Sequence, residues 1–249
     1  MNDNKIALVT GASSGIGRHT AEKFIEADYC VVVTGRRKEL LDEVVAGHGD
    51  DKTLACAADL TNPDDVDKLF RALEDKFGRL DVVFNNAGNN VPPAPFGDIS
   101  FEDWKTVIDV NLNGAFLVAN RAFRLMRKQT PQGGRIINNG SISAYVPRPG
   151  SAPYTSSKHA ITGLTRTISL DGRAFNIACG QIDIGNAASE MTQRMQTGVP
   201  QADGSTAIEP VMDVGNVSQA VLQMAALPLD VNVQFMTIMA TGMPYIGRG

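Results

Sequence analysis

Cysteine and histidine are scarce in this chain, and neither is arranged to hold a metal. Cys30, Cys56 and Cys179 are the three cysteines in 249 residues, far apart and without a C-x-x-C pair, and His19, His48 and His159 show no ligand spacing. An odd, scattered set of this kind predicts free thiols in a reducing compartment. Positive charge is not in excess either: 23 Lys and Arg stand against 27 Asp and Glu, a net charge of −4 at pH 7. Nothing global therefore draws the chain to nucleic acid or to an anionic membrane. No stretch approaches the roughly 18 apolar residues of a membrane span. Met1 to Lys5 run straight into an apolar segment, without the basic region, apolar block and small-residue cleavage site of a signal peptide. The cytoplasm is the expected compartment. Linkers, low-complexity tracts and fixed-period repeats are missing too, and 43% hydrophobic residues exclude a disordered or fibrous chain. The expectation is one globular domain over residues 1–249.

What the chain does have is alternation. Short apolar runs of strand length lie at Ile6 to Val9, Cys30 to Val33, Thr53 to Ala57, Leu80 to Phe84, Arg135 to Asn138, Phe175 to Cys179 and Gln234 to Met239. Amphipathic stretches separate most of them. Val66, Leu69, Phe70, Leu73 and Phe77 recur at steps of three and four behind Asn62 and Pro63, a helix cap and a first-turn proline. Strands apolar on both faces and separated by helices indicate a parallel sheet covered on both sides. The fold class is thus α/β, a doubly wound parallel sheet of about seven strands with helices on both faces. One segment, residues 185–213, breaks the rhythm with scattered glycines, methionines and Pro200. Long connections in compact domains are often lids, so this one is read as a substrate lid, with surface decoration as the alternative.

Thr10-Gly11-Ala12-Ser13-Ser14-Gly15-Ile16-Gly17 follows the first strand and opens the first helix. Glycine there permits positive φ and close backbone approach, and a helix N-terminus offers unpaired N–H groups to an anion. Gly11, Ser13, Ser14, Gly15, Ile16 and Gly17 are accordingly the candidate phosphate cradle of a dinucleotide. At the end of the second strand the ribose of such a ligand would lie, and the sequence reads Gly35-Arg36-Arg37-Lys38. An acidic residue at this place would accept from a ribose 2′-hydroxyl; Arg36 and Arg37 instead suit a 2′-phosphate, which selects NADP(H). Asp59 and Leu60, closing the third strand, either meet the adenine or simply start the next helix.

Tyr154 and Lys158 are four apart in a helical pattern that runs to about Leu170, so their side chains share one face. A lysine ammonium near a phenol stabilises the phenolate and makes tyrosine a usable general acid and base at working pH. Alone the pair is weak evidence. It is joined by Asn85-Asn86-Ala87-Gly88 after the fourth strand, by Asn111-Leu112-Asn113-Gly114, and by Ser141, with Ser143 as its near competitor. In this order, from about Lys5 to Leu170, the sequence resembles the short-chain dehydrogenase/reductase family. The resemblance implies a Rossmann-type fold and a nicotinamide cofactor, with Ser141, Tyr154, Lys158 and Asn111 as catalytic group. It further implies cofactor contacts at Asn86, Ala87, Gly88, Tyr154, Lys158, Gly180 and Ile182. The implied reaction moves a hydride between the nicotinamide and a small carbonyl or secondary alcohol substrate, with Ser141 holding the oxygen, Tyr154 exchanging its proton and Asn111 anchoring a relay water. Assembly as a homodimer or homotetramer, through the helices carrying Asn111 and Tyr154, is implied as well.

The sequence also departs from that pattern. Where the family has a Pro-Gly pair after the sixth strand and a threonine four residues beyond the glycine, Cys179-Gly180 and Ile184 are read in those places. Cys179 itself is expected to be an inert, buried small residue. The Leu170 to Asn176 stretch is shorter than usual for the family, which leaves the end of the catalytic helix open. The substrate pocket is expected from Asn89 to Pro95, Ser143 to Arg148 and Asn186 to Thr197, with Met191 and Met195 suiting an apolar ligand. Arg148, between Pro147 and Pro149, either attracts an acidic group of the substrate or, the reading preferred, belongs to a surface turn. A nucleotide-sugar epimerase, which can share the Tyr and Lys spacing, would need more chain after Cys179 than is present; a non-catalytic cofactor sensor on the same fold would have no need of both Tyr154 and Lys158.

Overall fold

The computed structural model describes residues 4–188 and 197–246. Its centre is a sheet of β1 (Ile6–Thr10), β2 (Cys30–Gly35), β3 (Thr53–Ala57), β4 (Val82–Asn85), β5 (Gly134–Asn139), β6 (Ile177–Ile184) and β9 (Phe235–Ile238). The spatial order is β3-β2-β1-β4-β5-β6-β9, with every neighbouring pair parallel. Alternation of side chains across the pleat gives two cores. Ile6, Leu8, Cys30, Val32, Val83, Ile136 and Cys179 face one way, under α3 (Pro63–Phe77), α5 (Ala115–Lys128) and α6 (Ala152–Gly172). Ala7, Val9, Val31, Val33, Phe84, Ile137 and Ile182 face the other, under α1 (Gly15–Glu26), α2 (Lys38–Val45) and α7 (Val214–Ala226). The strands are buried on both faces, as a parallel sheet requires. This is a Rossmann-type doubly wound fold.

Helix α3 begins as its sequence says. Asn62 caps it by accepting from the N–H of Asp64 at 2.9 Å, Pro63 opens the first turn, and Val66, Leu69, Phe70 and Leu73 are buried. Helix α4 (Phe101–Ile108) passes through one wide turn of π-type hydrogen bonding, Asp109–Gly114, into α5. Helix α6 runs to Gly172, then a short 3-10 turn reaches Asn176, whose φ of 56° ends it in left-handed geometry. That settles the helix end left open by the sequence.

Two boundaries move. The fourth strand starts at Val82 rather than Leu80, whose N–H is taken by Gln129 Oε1 at 2.9 Å. The sixth strand does not stop at Cys179 but continues to Ile184. The apolar run is broken there by Gln181 and Asp183, both fully buried, and their partners come from distant parts of the chain. Residues 185–213 contain a small antiparallel hairpin, β7 (Val199–Pro200) with β8 (Thr206–Ala207), and a bridge between Ala187 and Met212. Met191 and Met195 lie outside the described residues. Cys30, Cys56 and Cys179 form no disulfide. Among the described residues no helix is long and apolar enough to cross a membrane.

Candidate active site

The strand order reverses between β1 and β4, and a ligand cleft opens at the carboxyl ends of strands on either side of such a point. The strand ends are tied together there. Thr10 Oγ1 accepts from the N–H groups of Asn86 and Ala87 at 2.8 and 2.9 Å, and Asn86 Nδ2 donates back to Thr10 O at 2.9 Å. Asn139, ending β5, donates from Nδ2 to Asn86 Oδ1 at 2.8 Å. Asn85 is spent inside the fold, donating to Ala115 O at 2.9 Å and Asn138 Oδ1 at 3.1 Å.

The turn after β1 has the shape its glycines allow. Gly11 has φ of 64°, and a Cβ at Gly17 would stand 2.3 Å from Gly11 O. Helix α1 has no acidic residue in its first turn and no side-chain cap from Ser14, so its positive end is left for an anion. Arg37 leans across from the end of β2, donating from Nη2 to the Oγ atoms of Ser13 and Ser14, both at 2.9 Å. It thereby brings a cation to the glycine turn. Arg36 is exposed beside it. These features fit a phosphorylated dinucleotide: an open backbone cradle, an unopposed helix end and the Arg37 guanidinium at the glycine turn, with Arg36 next to it in the chain.

The cleft has two chambers. Gly11, Ser14, Gly15, Ile16, Gly17, Asn86, Ala87, Gly88 and Lys158 line the larger. Ser141, Ser143, Arg148, Asn186 and Val199 line the other. Tyr154 belongs to both, with Ile184 and Gly185. Helix α6 sets this geometry: Lys158, one turn on, points the same way, its Nζ 5.5 Å from the Tyr154 ring centre and donating to Asn139 O at 2.8 Å. Burial pushes the Lys158 ammonium down to about 8, against the attraction of Asp183. Ser141 Oγ accepts from the N–H of Ser143 at 3.1 Å, while its own N–H donates to Asp183 Oδ1 at 3.0 Å. Ser143 lines the same chamber, so both serines face it.

Asn111 sits behind the wall, in the wide turn before α5. Its amide donates to Asn89 O at 3.0 Å and Ser157 Oγ at 3.3 Å, and its Oδ1 accepts from the Asn89 N–H at 2.8 Å. The side chain is thus committed to holding the 89 loop against α6. Asp59 Oδ1 accepts from Thr61 N and Oγ1 at 3.0 and 2.8 Å, the turn arrangement, and Leu60 is buried in the core.

Gly180 and Ile182, expected as cofactor contacts, are packed away from the cleft. Both lie inside β6, Ile182 with 0% exposure, and a Cβ at Gly180 would meet Val233 O at 2.2 Å. Neither lines the cleft. Because the strand runs five residues further than its apolar stretch, Ile184-Gly185 takes the strand-end place read as Cys179-Gly180. Four positions beyond Gly185 stands Ser189, outside the described residues. Cys179 is 0% exposed, and burial pushes its thiol well above the usual range. Three residues of this region were not read from the sequence at all: the Asn139 carbonyl on Lys158, the buried Asp183, and Glu209, which holds Arg148. Two carboxylates in apolar surroundings were the available signal.

Comparison with known proteins agrees with this geometry. The profile of the family described as short chain dehydrogenase matches residues 5–199. A 3beta-hydroxysteroid dehydrogenase of Mediterraneibacter gnavus is 37% identical over 196 residues, covering 77% of this chain and 69% of that protein. A serine dehydrogenase structure complexed with NADP+ superposes with a TM-score of 0.85 at 26% identity, covering 97% of both chains. The 3-ketoacyl-(acyl-carrier-protein) reductase of Brucella melitensis, complexed with NADH, has the same fold, with a TM-score of 0.85 at 23% identity over 97% of this chain and 99% of that one. The chain belongs to the short-chain dehydrogenase/reductase family. It is an oxidoreductase of that family.

Proposed function

We propose that the chain is an NADP(H)-dependent oxidoreductase interconverting a carbonyl and a secondary alcohol, with Tyr154 as general acid and base. The observation that carries this is the position of Tyr154 in the wall common to both chambers, one helical turn from a buried Lys158. When bound, the nicotinamide supplies or accepts the hydride. Gly11, Ser14, Gly15, Ile16 and Gly17 would hold its pyrophosphate, Asn86, Ala87 and Gly88 the flank, and Arg36 and Arg37 the 2′-phosphate.

In reduction, negative charge grows on the substrate oxygen, and the protein must meet it as it forms. Tyr154 donates its proton to that oxygen; Ser141 hydrogen-bonds it and fixes the carbonyl at reacting distance. Lys158, charged below a pH of about 8, stabilises the phenolate that Tyr154 leaves behind. Asn111, held by its bonds to Asn89 and Ser157, would anchor a water linking Lys158 to solvent. Residues 185–213 act as the substrate lid, their hairpin contributing Val199 and Pro200 to the smaller chamber. Assembly through α5 and α6 fits Phe116 and Leu170, large apolar side chains 49% and 61% exposed on those helices. The test is loss of reduced-nicotinamide absorbance with a carbonyl panel: turnover by the wild type and none by Tyr154→Phe supports the reading. Equal turnover by both removes Tyr154 from the mechanism.

A further inference from the structure

Arg148 stands between two prolines, where the sequence suggests a surface turn, yet its side chain is only 14% exposed and lines the substrate chamber. It is paired rather than available. Nη1 donates to Glu209 Oε1 at 2.9 Å and Nη2 to Glu209 Oε2 at 2.6 Å, a two-point match of guanidinium to carboxylate. The Glu209 side chain is 0% exposed. Asn186 completes the arrangement, accepting from Arg148 Nη2 at 3.1 Å and donating to Glu209 Oε2 at 2.9 Å. Gln201 Nε2 donates to Glu209 Oε1 at 3.2 Å. Burial alone would raise the Glu209 carboxyl, but the bonds from Arg148, Asn186 and Gln201 outweigh it and hold the group at about 2, ionised at neutral pH.

An arginine in the wall of a substrate chamber is ordinarily a receptor for carboxylate, phosphate or sulfonate, because its fork matches their oxygens. Here that fork is filled from within. A substrate anion would have to displace Glu209, leaving a buried carboxylate without its cation, which is strongly unfavourable. Among the described residues Arg148 is the one charged side chain lining this chamber; the others are uncharged, with Val91, Pro93, Ile142, Ile184, Val199 and Pro200 supplying apolar wall. We infer that Glu209 is a specificity-determining residue: by occupying Arg148 it reserves the chamber for uncharged carbonyl and alcohol substrates and turns away their anionic counterparts. The inference rests on the reading of this chamber as the substrate side of the oxidoreductase.

A pair of probes differing only in charge, benzoylformate and its methyl ester, tests it by calorimetric titration of the NADP-saturated protein. The wild type is expected to bind the ester at least about tenfold more tightly than the anion. Glu209→Gln, which keeps the shape and frees the guanidinium, is expected to shift that ratio toward the anion by about tenfold or more. Adding Arg148→Gln to Glu209→Gln is expected to abolish the shift. Equal wild-type binding of the two probes overturns the inference whether or not the variants fold, and so does an unchanged ratio in a folded Glu209→Gln protein. Binding is read without turnover, so absence of ester reduction would count against the proposed activity while the binding ratio still decides the role of Glu209.

Discussion

A Cβ placed on Gly140 would stand 2.1 Å from Oδ1 of Asp183, so the carboxylate occupies the space that a side chain at position 140 would need. From there Asp183 accepts from the Ser141 N–H at 3.0 Å, the Tyr145 hydroxyl at 3.0 Å and Gln181 Nε2 at 2.6 Å. Burial raises its carboxyl above the usual range, against these bonds and the pull of Lys158. One buried acid thus fixes the backbone of the serine expected to hold the substrate oxygen.

Replacing Gly140 by Ala is expected to destabilise the protein by about 1–3 kcal/mol, as overpacking does, and to lower turnover through Ser141. Asp183→Ala removes the nearest of the obstructing atoms, leaving Gln181 Nε2 and Cγ at 2.7 and 2.8 Å. The double variant should therefore be less destabilised than the two single effects added together, by at least about 0.5 kcal/mol in urea unfolding. Additive losses would show that the two positions do not compete for one space.

Lys158→Met is expected to abolish turnover and yet to stabilise the cofactor-free protein. Burial places the folded-state ammonium at about 8, below its ordinary 10.5. Between those values the unfolded chain binds more protons, so wild-type stability rises with pH across that window. Below it the cost of burying the charge is felt in full, about 3 kcal/mol at most. The gain in Lys158→Met should be largest at pH 7 and shrink toward pH 10. A variant destabilised at pH 7 would mean that the bond to Asn139 O outweighs desolvation.

In the proposed function Arg36 and Arg37 would select the cofactor. Neutralising both with Gln is expected to raise the KM for NADPH by about ten- to a hundredfold, the range of a lost charge-assisted pair, and to leave the KM for NADH nearly unchanged. Equal effects on the two cofactors would place these residues outside the 2′-phosphate site.

Much of the scaffold could be read from the chain because its signals are local. Val66, Leu69, Phe70 and Leu73 carry the period of α3, Asn62 caps it, and Gly11 and Gly17 mark a turn that side chains would block. The end of β6 was not legible, since Gln181 and Asp183 interrupt the apolar run. What makes them tolerable in the core is Thr165 Oγ1, donating to Gln181 Oε1 at 3.0 Å, together with Tyr145 and Ser141. Partners from other segments leave no local pattern, and the misplaced strand end carried Gly180 and Ile182 into the cofactor site with it. Arg148 was misread for the same reason: its partner Glu209 lies 61 positions away.

The most direct measurement follows deuterium from C4-deuterated NADPH into an uncharged ketone, for the wild type and for Tyr154→Phe, with NADPH affinity measured alongside. Deuterium is expected on the carbinol carbon, with a loss of about 10²- to 10⁴-fold in rate for Tyr154→Phe and NADPH binding within a few-fold of wild type. A Tyr154→Phe protein that transfers the label at an undiminished rate would contradict it.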